Sequence, residues 1–113
     1  MTTASSHVLD AARGLPAAGL AVTLLPASGP GAPADDGAPP AARHAVTDAD
    51  GRIAWGEVAP GRHVLTFAAG DWFAAQGRET FFGQVVLDVV LGPDHTHVAL
   101  LLSPFAYTTY RGS

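Results

Sequence analysis

The feature that most limits what this chain can become is the rhythm of its interruptions. Short runs rich in Val, Leu, Thr and Phe recur between Gly, Pro and Asp, the spacing of an all-β sandwich rather than a helical bundle. The pattern predicts strands over residues 5–10, 20–25, 41–47, 52–55, 61–68, 84–91, 95–102 and 107–110. About eight strands of this length imply two packed sheets. Arg13-Gly14-Leu15-Pro16, Asp48-Ala49-Asp50-Gly51 and Gly92-Pro93-Asp94 mark chain reversals, because Pro and Gly supply the backbone angles that turns need. Residues 26–40, rich in Pro, Gly and Ala, are expected to form a loop. One short helix is expected over residues 71–76, with Asp71 as its N-cap and Gly77 as its stop.

At 113 residues the chain has the size of one domain, 1–113, with one core. Hydrophobic residues make up 48% and charged residues 14%, which leaves few charges to coat a monomer and points to surface covered by other subunits. The absence of cysteine excludes disulfides, thiolate catalysis and Cys-ligated zinc. A net charge of −4, with scattered basic residues, argues against a nucleic-acid partner. Met1-Thr2-Thr3-Ala4 shows neither a basic n-region nor an apolar h-region. The longest apolar run, 98–102, is far short of a spanning helix. No membrane association and a cytoplasmic location are therefore expected.

The chemistry-bearing residues lie far apart in sequence. In His95-Thr96-His97 the strand period of two places both imidazoles on one face with Ala99 and Leu101. Such a pair could bind metal or handle protons, but zinc needs further ligands that the sequence does not place nearby. The plainer reading has one exposed and one packed histidine. His7 sits alone in the first strand, and taken by itself it is more often structural or exposed than catalytic. Arg52 follows Asp50-Gly51 and is either a solvated turn residue or a guanidinium fork for an anion or carbonyl. His44 and His63 have no chemical companions and are assigned to surface or packing. The C-terminal Tyr107-Thr108-Thr109-Tyr110-Arg111-Gly112-Ser113 gathers rings, hydroxyls and a guanidinium at a chain end that usually frays. It is either an edge strand with a tethering aromatic or a wall of a ligand site.

Three segments together carry a resemblance. They are Ser6-His7-Val8-Leu9-Asp10 leading into Arg13-Gly14-Leu15-Pro16-Ala17, Thr47-Asp48-Ala49-Asp50-Gly51-Arg52, and His97-Val98-Ala99-Leu100-Leu101-Leu102-Ser103-Pro104-Phe105 running into Tyr110-Arg111-Gly112-Ser113. In these the chain resembles the 5-hydroxyisourate hydrolases of the transthyretin-like family over nearly its whole length. The ending Tyr-Arg-Gly-Ser is the most specific part, since it separates the enzymes from the hormone-carrying transthyretins. Thr96 and Ala99 stand where the family pattern has an aromatic and a proline, and Gly83-Gln84 replaces a common Pro-Glu; these departures touch pocket shape and strand edges.

The resemblance implies a prealbumin-like two-sheet β-sandwich with one short helix, assembled as a homotetramer with sites where subunits meet. It implies hydrolysis of the cyclic amide of 5-hydroxyisourate, with catalytic His7, Arg52 and His97. Tyr110, Arg111, Gly112, Ser113 and Ser103 would bind the substrate, without metal or organic cofactor. Such hydrolysis needs an activated water, a donor for the developing oxyanion and a proton for the leaving nitrogen. One of His7 and His97 would polarise water while the other orients it or gives a proton, and Arg52 would hold the substrate's carbonyl or anionic edge. A nearby guanidinium should favour neutral imidazole. The rivals are a transthyretin-like carrier without chemistry and a sandwich interaction module.

Overall fold

Every second residue of β1 (Thr3–Asp10) turns inward: Ala4, Ser6, Val8 and Asp10 are buried, so Thr3, Ser5, His7 and Leu9 form the outward face. The computed structural model of the chain describes residues 1–27 and 42–112. Within them β1 lies inside a five-stranded sheet. β8 (His95–Leu102) runs parallel to it, and β9 (Tyr107–Gly112) pairs antiparallel with β8 at the edge. On the other flank, β5 (Arg52–Glu57) pairs with residues 3–7 and β2 (Leu15–Pro16) with residues 9–10. The second sheet runs β4 (Arg43–Val46), β3 (Ala21–Pro26), β6 (Gly61–Phe67), β7 (Val85–Leu91), antiparallel throughout.

The core follows from the alternation. Val8, Leu100 and Leu102 from the first sheet join Val22, Leu24, Leu65, Phe67 and Val85 from the second, with Phe73 of α1 (Ala69–Ala74) in the same cluster. Burying each such side chain contributes roughly 1.5–3 kcal/mol, which fixes the face each strand turns inward. Two inward positions of β1 are polar and need partners. Ser6 accepts the indole N–H of Trp55 at 3.0 Å. Asp10 accepts the backbone N–H groups of Ala12 and Arg13 and pairs with Arg78 at 2.8 Å. Burial pushes the Asp10 carboxyl up, but these bonds and the Arg78 charge outweigh it and hold the carboxyl below its usual range. Its contribution to stability is thus complete above about pH 4 and is lost as pH falls further.

The expected all-β sandwich with one short helix is the fold observed. The strands differ from expectation in detail. β2, only two residues long, was not foreseen, and β1 begins at Thr3 because that residue also pairs with Glu57 and His95. β4 ends before Thr47, whose hydroxyl leaves the ladder to accept the Leu20 N–H and donate to Ala17 O. The helix starts before Asp71: Ala68 occupies the N-cap without a side-chain hydrogen bond, and Asp71 lies in the first turn. Gly77, at φ 66°, ends the helical segment as expected, with its N–H on Ala74 O and the Arg78 N–H on Phe73 O. The loop expected over residues 26–40 lies outside the described residues except for Pro26, the last residue of β3, and Ala27, whose N–H bonds Arg62 O.

One turn couples the fold to the outward face. Asp48 accepts the backbone N–H groups of Asp50 and Arg52 with the same carboxylate oxygen, closing the turn before β5. Gly51 brings that turn against β1, its carbonyl accepting the Val8 N–H at 2.8 Å. Its φ is 76°, and a Cβ there would sit 2.3 Å from Val8 O. Gly51→Ala should therefore cost at least about 2 kcal/mol, from left-handed strain plus the displaced turn. Chemical denaturation checks this, and a wild-type midpoint would contradict it.

Candidate active site

Register assembles the outward face. Across β1 and β5, His7 lies opposite Arg52 and Ser5 opposite Ala54. Across β1 and β8, Thr3 lies opposite His95, Ser5 opposite His97 and His7 opposite Ala99. β9 adds Tyr110 opposite Ala99 and Gly112 opposite His97. Paired residues share a face, so one row reads Arg52, His7, Ala99, Tyr110 and the next Ala54, Ser5, His97, Gly112. Strands stand about 4.8 Å apart, and the alternation of large with small side chains leaves room between them. An open cavity of about 510 Å³ results, lined by Ser5, Asp48, Arg52, Ala54, His95 and His97 among others.

Hydrogen bonds set the protonation of the two central rings. His7 Nε2 lies 3.0 Å from Asp50 O, and a carbonyl can only accept, so Nε2 carries a proton, and in the neutral ring the lone pair lies on Nδ1. His97 Nδ1 lies 2.7 Å from Ser5 Oγ. The ring centroids of His7 and His97 are 6.2 Å apart, tilted by 44°. Arg52's guanidinium has no hydrogen-bond or ion-pair partner among the described residues. Burial lowers the pKa of His97, and the nearby charges of His7, Arg52 and His95 lower it further. Its imidazole is therefore neutral at pH 7, as a proton acceptor must be.

Gly112 is required where it stands. A Cβ there would lie 2.6 Å from His97 Cδ2 and 3.3 Å from its Cβ and Cγ. Only a bare backbone lets β9 pass over the imidazole.

Of the residues expected at a site, His7, Arg52, His97, Gly112 and Tyr110 share this face within one chain. Ser113 lies outside the described residues. Two others lie away from this face within one chain. Arg111 pairs with inward-facing Val98, on the other face of β9 from His97, and lines a separate cavity with Val89, Val90, Thr109 and its neighbour Tyr110. Ser103 follows the far end of β8, about 20 Å along the strand from His97, with its N–H bonded to Ala106 O. The expectation missed Ser5, whose hydroxyl touches both His97 and His95. Its signal was its place two residues before His7. His63 is buried with Nδ1 on Gly61 O, and exposed His44 meets the Thr23 hydroxyl, in keeping with packing and surface roles.

No group of three or more His, Cys, Asp or Glu among the described residues is placed to hold an ion. Ser5 ties His95 and His97 together instead of leaving both free toward one point. A second cavity, of about 360 Å³, is lined by Asp10, Arg13, Trp72 and Gln76 among others, with no histidine in its lining.

A family model described as HIUase/Transthyretin matches residues 4–112. A 5-hydroxyisourate hydrolase of Deinococcus radiodurans is 39% identical, aligned over 96% of this chain and 94% of its own. Among solved structures, Klebsiella pneumoniae 5-hydroxyisourate hydrolase superposes with a TM-score of 0.79 at 38% identity, covering 100% of this chain and 94% of that one. Sea bream transthyretin in complex with thyroxine superposes with a TM-score of 0.80 at 27% identity, over 96% of this chain and 93% of that one.

Two outcomes follow from the geometry. Gly112→Ala should displace the His97 ring and lower any turnover at this face at least about tenfold, as small misplacements of catalytic groups do, with little change in melting temperature. Unchanged turnover would contradict the close approach. Arg52→Gln removes one of the charges acting on His97 but leaves its burial, so the His97 titration midpoint should rise part of the way to about 6.5. Histidine proton shifts followed against pH check this, and an unmoved or lower midpoint would contradict it.

Proposed function

Because the chain belongs to the HIUase/Transthyretin family, we propose that it is a 5-hydroxyisourate hydrolase acting through the outward face of β1, β5, β8 and β9. The observation that carries the reading is the pair of imidazole nitrogens, His7 Nδ1 and His97 Nε2, on rings 6.2 Å apart beside Arg52, all three groups without a hydrogen-bond partner among the described residues. In this reading residues 1–113 act as one hydrolase domain. The catalytic residues are His7, Arg52 and His97.

A water held between the two nitrogens attacks the ring amide carbonyl, and His97 accepts its proton. Arg52 faces the carbonyl oxygen, where a fixed positive charge stabilises the oxyanion as it forms. The tetrahedral intermediate collapses by breaking the C–N bond, and the leaving nitrogen takes a proton from an imidazole. The product is 2-oxo-4-hydroxy-4-carboxy-5-ureidoimidazoline. Gly112 keeps the backbone of β9 close above His97, and Tyr110 supplies an exposed ring beside Ala99 for a planar ligand; Arg111, Ser103 and Ser113 stay in the proposal as substrate-binding residues. No metal or organic cofactor enters these steps.

A homotetramer with sites at subunit contacts completes the proposal. β9 is an edge strand, and the exposed Phe105, Tyr107 and Tyr110 lie on it or just before it. A second copy would cover this edge and deepen the open cavity. No helix among the described residues is long and apolar enough to cross a membrane, in keeping with a cytoplasmic site of action. The sea bream relative binds thyroxine; a carrier role without chemistry would give no use to the two free imidazole nitrogens.

The test is to generate 5-hydroxyisourate with uricase and follow its ultraviolet decay. The protein should accelerate the decay, and EDTA should leave the rate unchanged. His7→Ala and His97→Ala should each lower turnover by about 10²- to 10⁴-fold, the usual range for a lost acid–base group, without dissociating the assembly. An unaccelerated decay, or wild-type turnover in either variant, would reject the assignment.

A further inference from the structure

Beyond the three catalytic residues, the structure holds a continuous chain of hydrogen bonds leading away from His97. His97 Nδ1 lies 2.7 Å from Ser5 Oγ, Ser5 Oγ 2.9 Å from His95 Nε2, and His95 Nδ1 2.7 Å from Thr3 Oγ1. His95 is exposed, so the chain ends at solvent. Register produces it, because parallel pairing sets Thr3 beside His95 and Ser5 beside His97, all on one face.

We propose that Ser5 and His95 are positioning residues that form a reversible proton wire from His97 to solvent at Thr3, turning His97 Nε2 from base to acid within one turnover. The inference rests on the hydrolase reading and deepens it.

A serine hydroxyl has one proton, so Ser5 can donate to only one of its two imidazole partners and accepts from the other. The chain therefore has two self-consistent directions. In the first, His97 Nδ1–H donates to Ser5, Ser5 to His95 Nε2, and His95 Nδ1–H to Thr3. His97 Nε2 is then a bare lone pair facing the cavity. In the second, every donor and acceptor is exchanged, and His97 Nε2 carries a proton.

Water attack converts the first direction into the second with protons conserved. The water gives a proton to His97 Nε2 and its hydroxide bonds to the carbonyl carbon. His97 Nδ1–H passes to Ser5, the Ser5 proton to His95 Nε2, the His95 Nδ1 proton to Thr3, and the Thr3 proton to bulk water. His97 ends neutral and protonated on Nε2, the form that can protonate the leaving nitrogen. That donation, with a proton returned from solvent along the same path, restores the start.

The surroundings explain why passing a proton on is preferable to storing it. His7 on β1, Arg52 on β5 and His95 on β8 are the basic groups facing His97, and Asp48 lines the same cavity. Burial and these charges disfavour the imidazolium. A wire removes the need to form it.

Anchoring is the alternative role for Ser5: its hydroxyl would then only hold the ring. His95→Gln separates the two, since a glutamine amide can still hydrogen-bond Ser5 but cannot take a proton on one nitrogen and release one from another. In the uricase-coupled assay, Ser5→Ala and His95→Gln should each lower kcat by about 10- to 100-fold with KM changed less than about twofold, and Ser5→Thr should recover most of the loss. Wild-type kcat in His95→Gln alongside a loss in Ser5→Ala would overturn the wire in favour of anchoring. A substrate-free readout keeps the two levels apart. Nitrogen-15 shifts of neutral His97 should show both tautomers exchanging in the wild type and one favoured in Ser5→Ala, and a single fixed tautomer in the wild type would overturn the wire. Absence of hydrolase activity in the wild type would instead overturn the reading beneath it.

Discussion

The site depends on the parallel pairing of β1 with β8. Those strands lie some ninety residues apart in the chain, and their register sets Ser5 beside His97 and Thr3 beside His95. A slip of one residue would turn every outward side chain inward. Two features of β1 resist that slip. Ser6 is held by the Trp55 indole, and Asp10 is held by Arg78 and two backbone N–H groups. Inward polar groups are costly when unpaired, so they fix which residues face out and therefore where His7 and Ser5 point.

Small residues shape the face as much as the reactive ones do. Ala54, Ser5, Ala99 and Gly112 stand between Arg52, His7, His97 and Tyr110, so space remains for a ligand. Gly51 and Gly112 act at the two margins. The first draws the turn carrying Arg52 onto β1, and the second lets β9 pass over His97. Neither glycine touches a reacting atom.

Much of this was legible in the sequence, and the failures have physical causes. Alternation and turn chemistry locate most strands because period-two patterning is strong when one face is buried. They do not reveal the two-residue β2 or the early helix start, where backbone bonds such as Gly70 N–H to Gly83 O stand in for a side-chain cap. Motif resemblance named His7, Arg52 and His97 together, and the register sets all three on one face. The resemblance also grouped Arg111 with its neighbours, although in a strand residues 110 and 112 face one way and 111 the other. Ser5 escaped notice because its place two residues before His7 shows only a shared face, and its imidazole partner appears only with the parallel register.

The same face supplies fold and chemistry: buried groups under β1 set the register, and the register sets donors and acceptors above it. The most direct measurement is a crystal structure of the protein with a non-hydrolysable cyclic ureide. The account predicts the planar ring over Ala54, Ser5 and Ala99, its carbonyl oxygen at Arg52, and a water within about 3.5 Å of the carbonyl carbon, held by His7 Nδ1 and His97 Nε2. A ligand seated beside Asp10 and Trp72, or one whose carbonyl lies out of reach of both imidazoles, would contradict it.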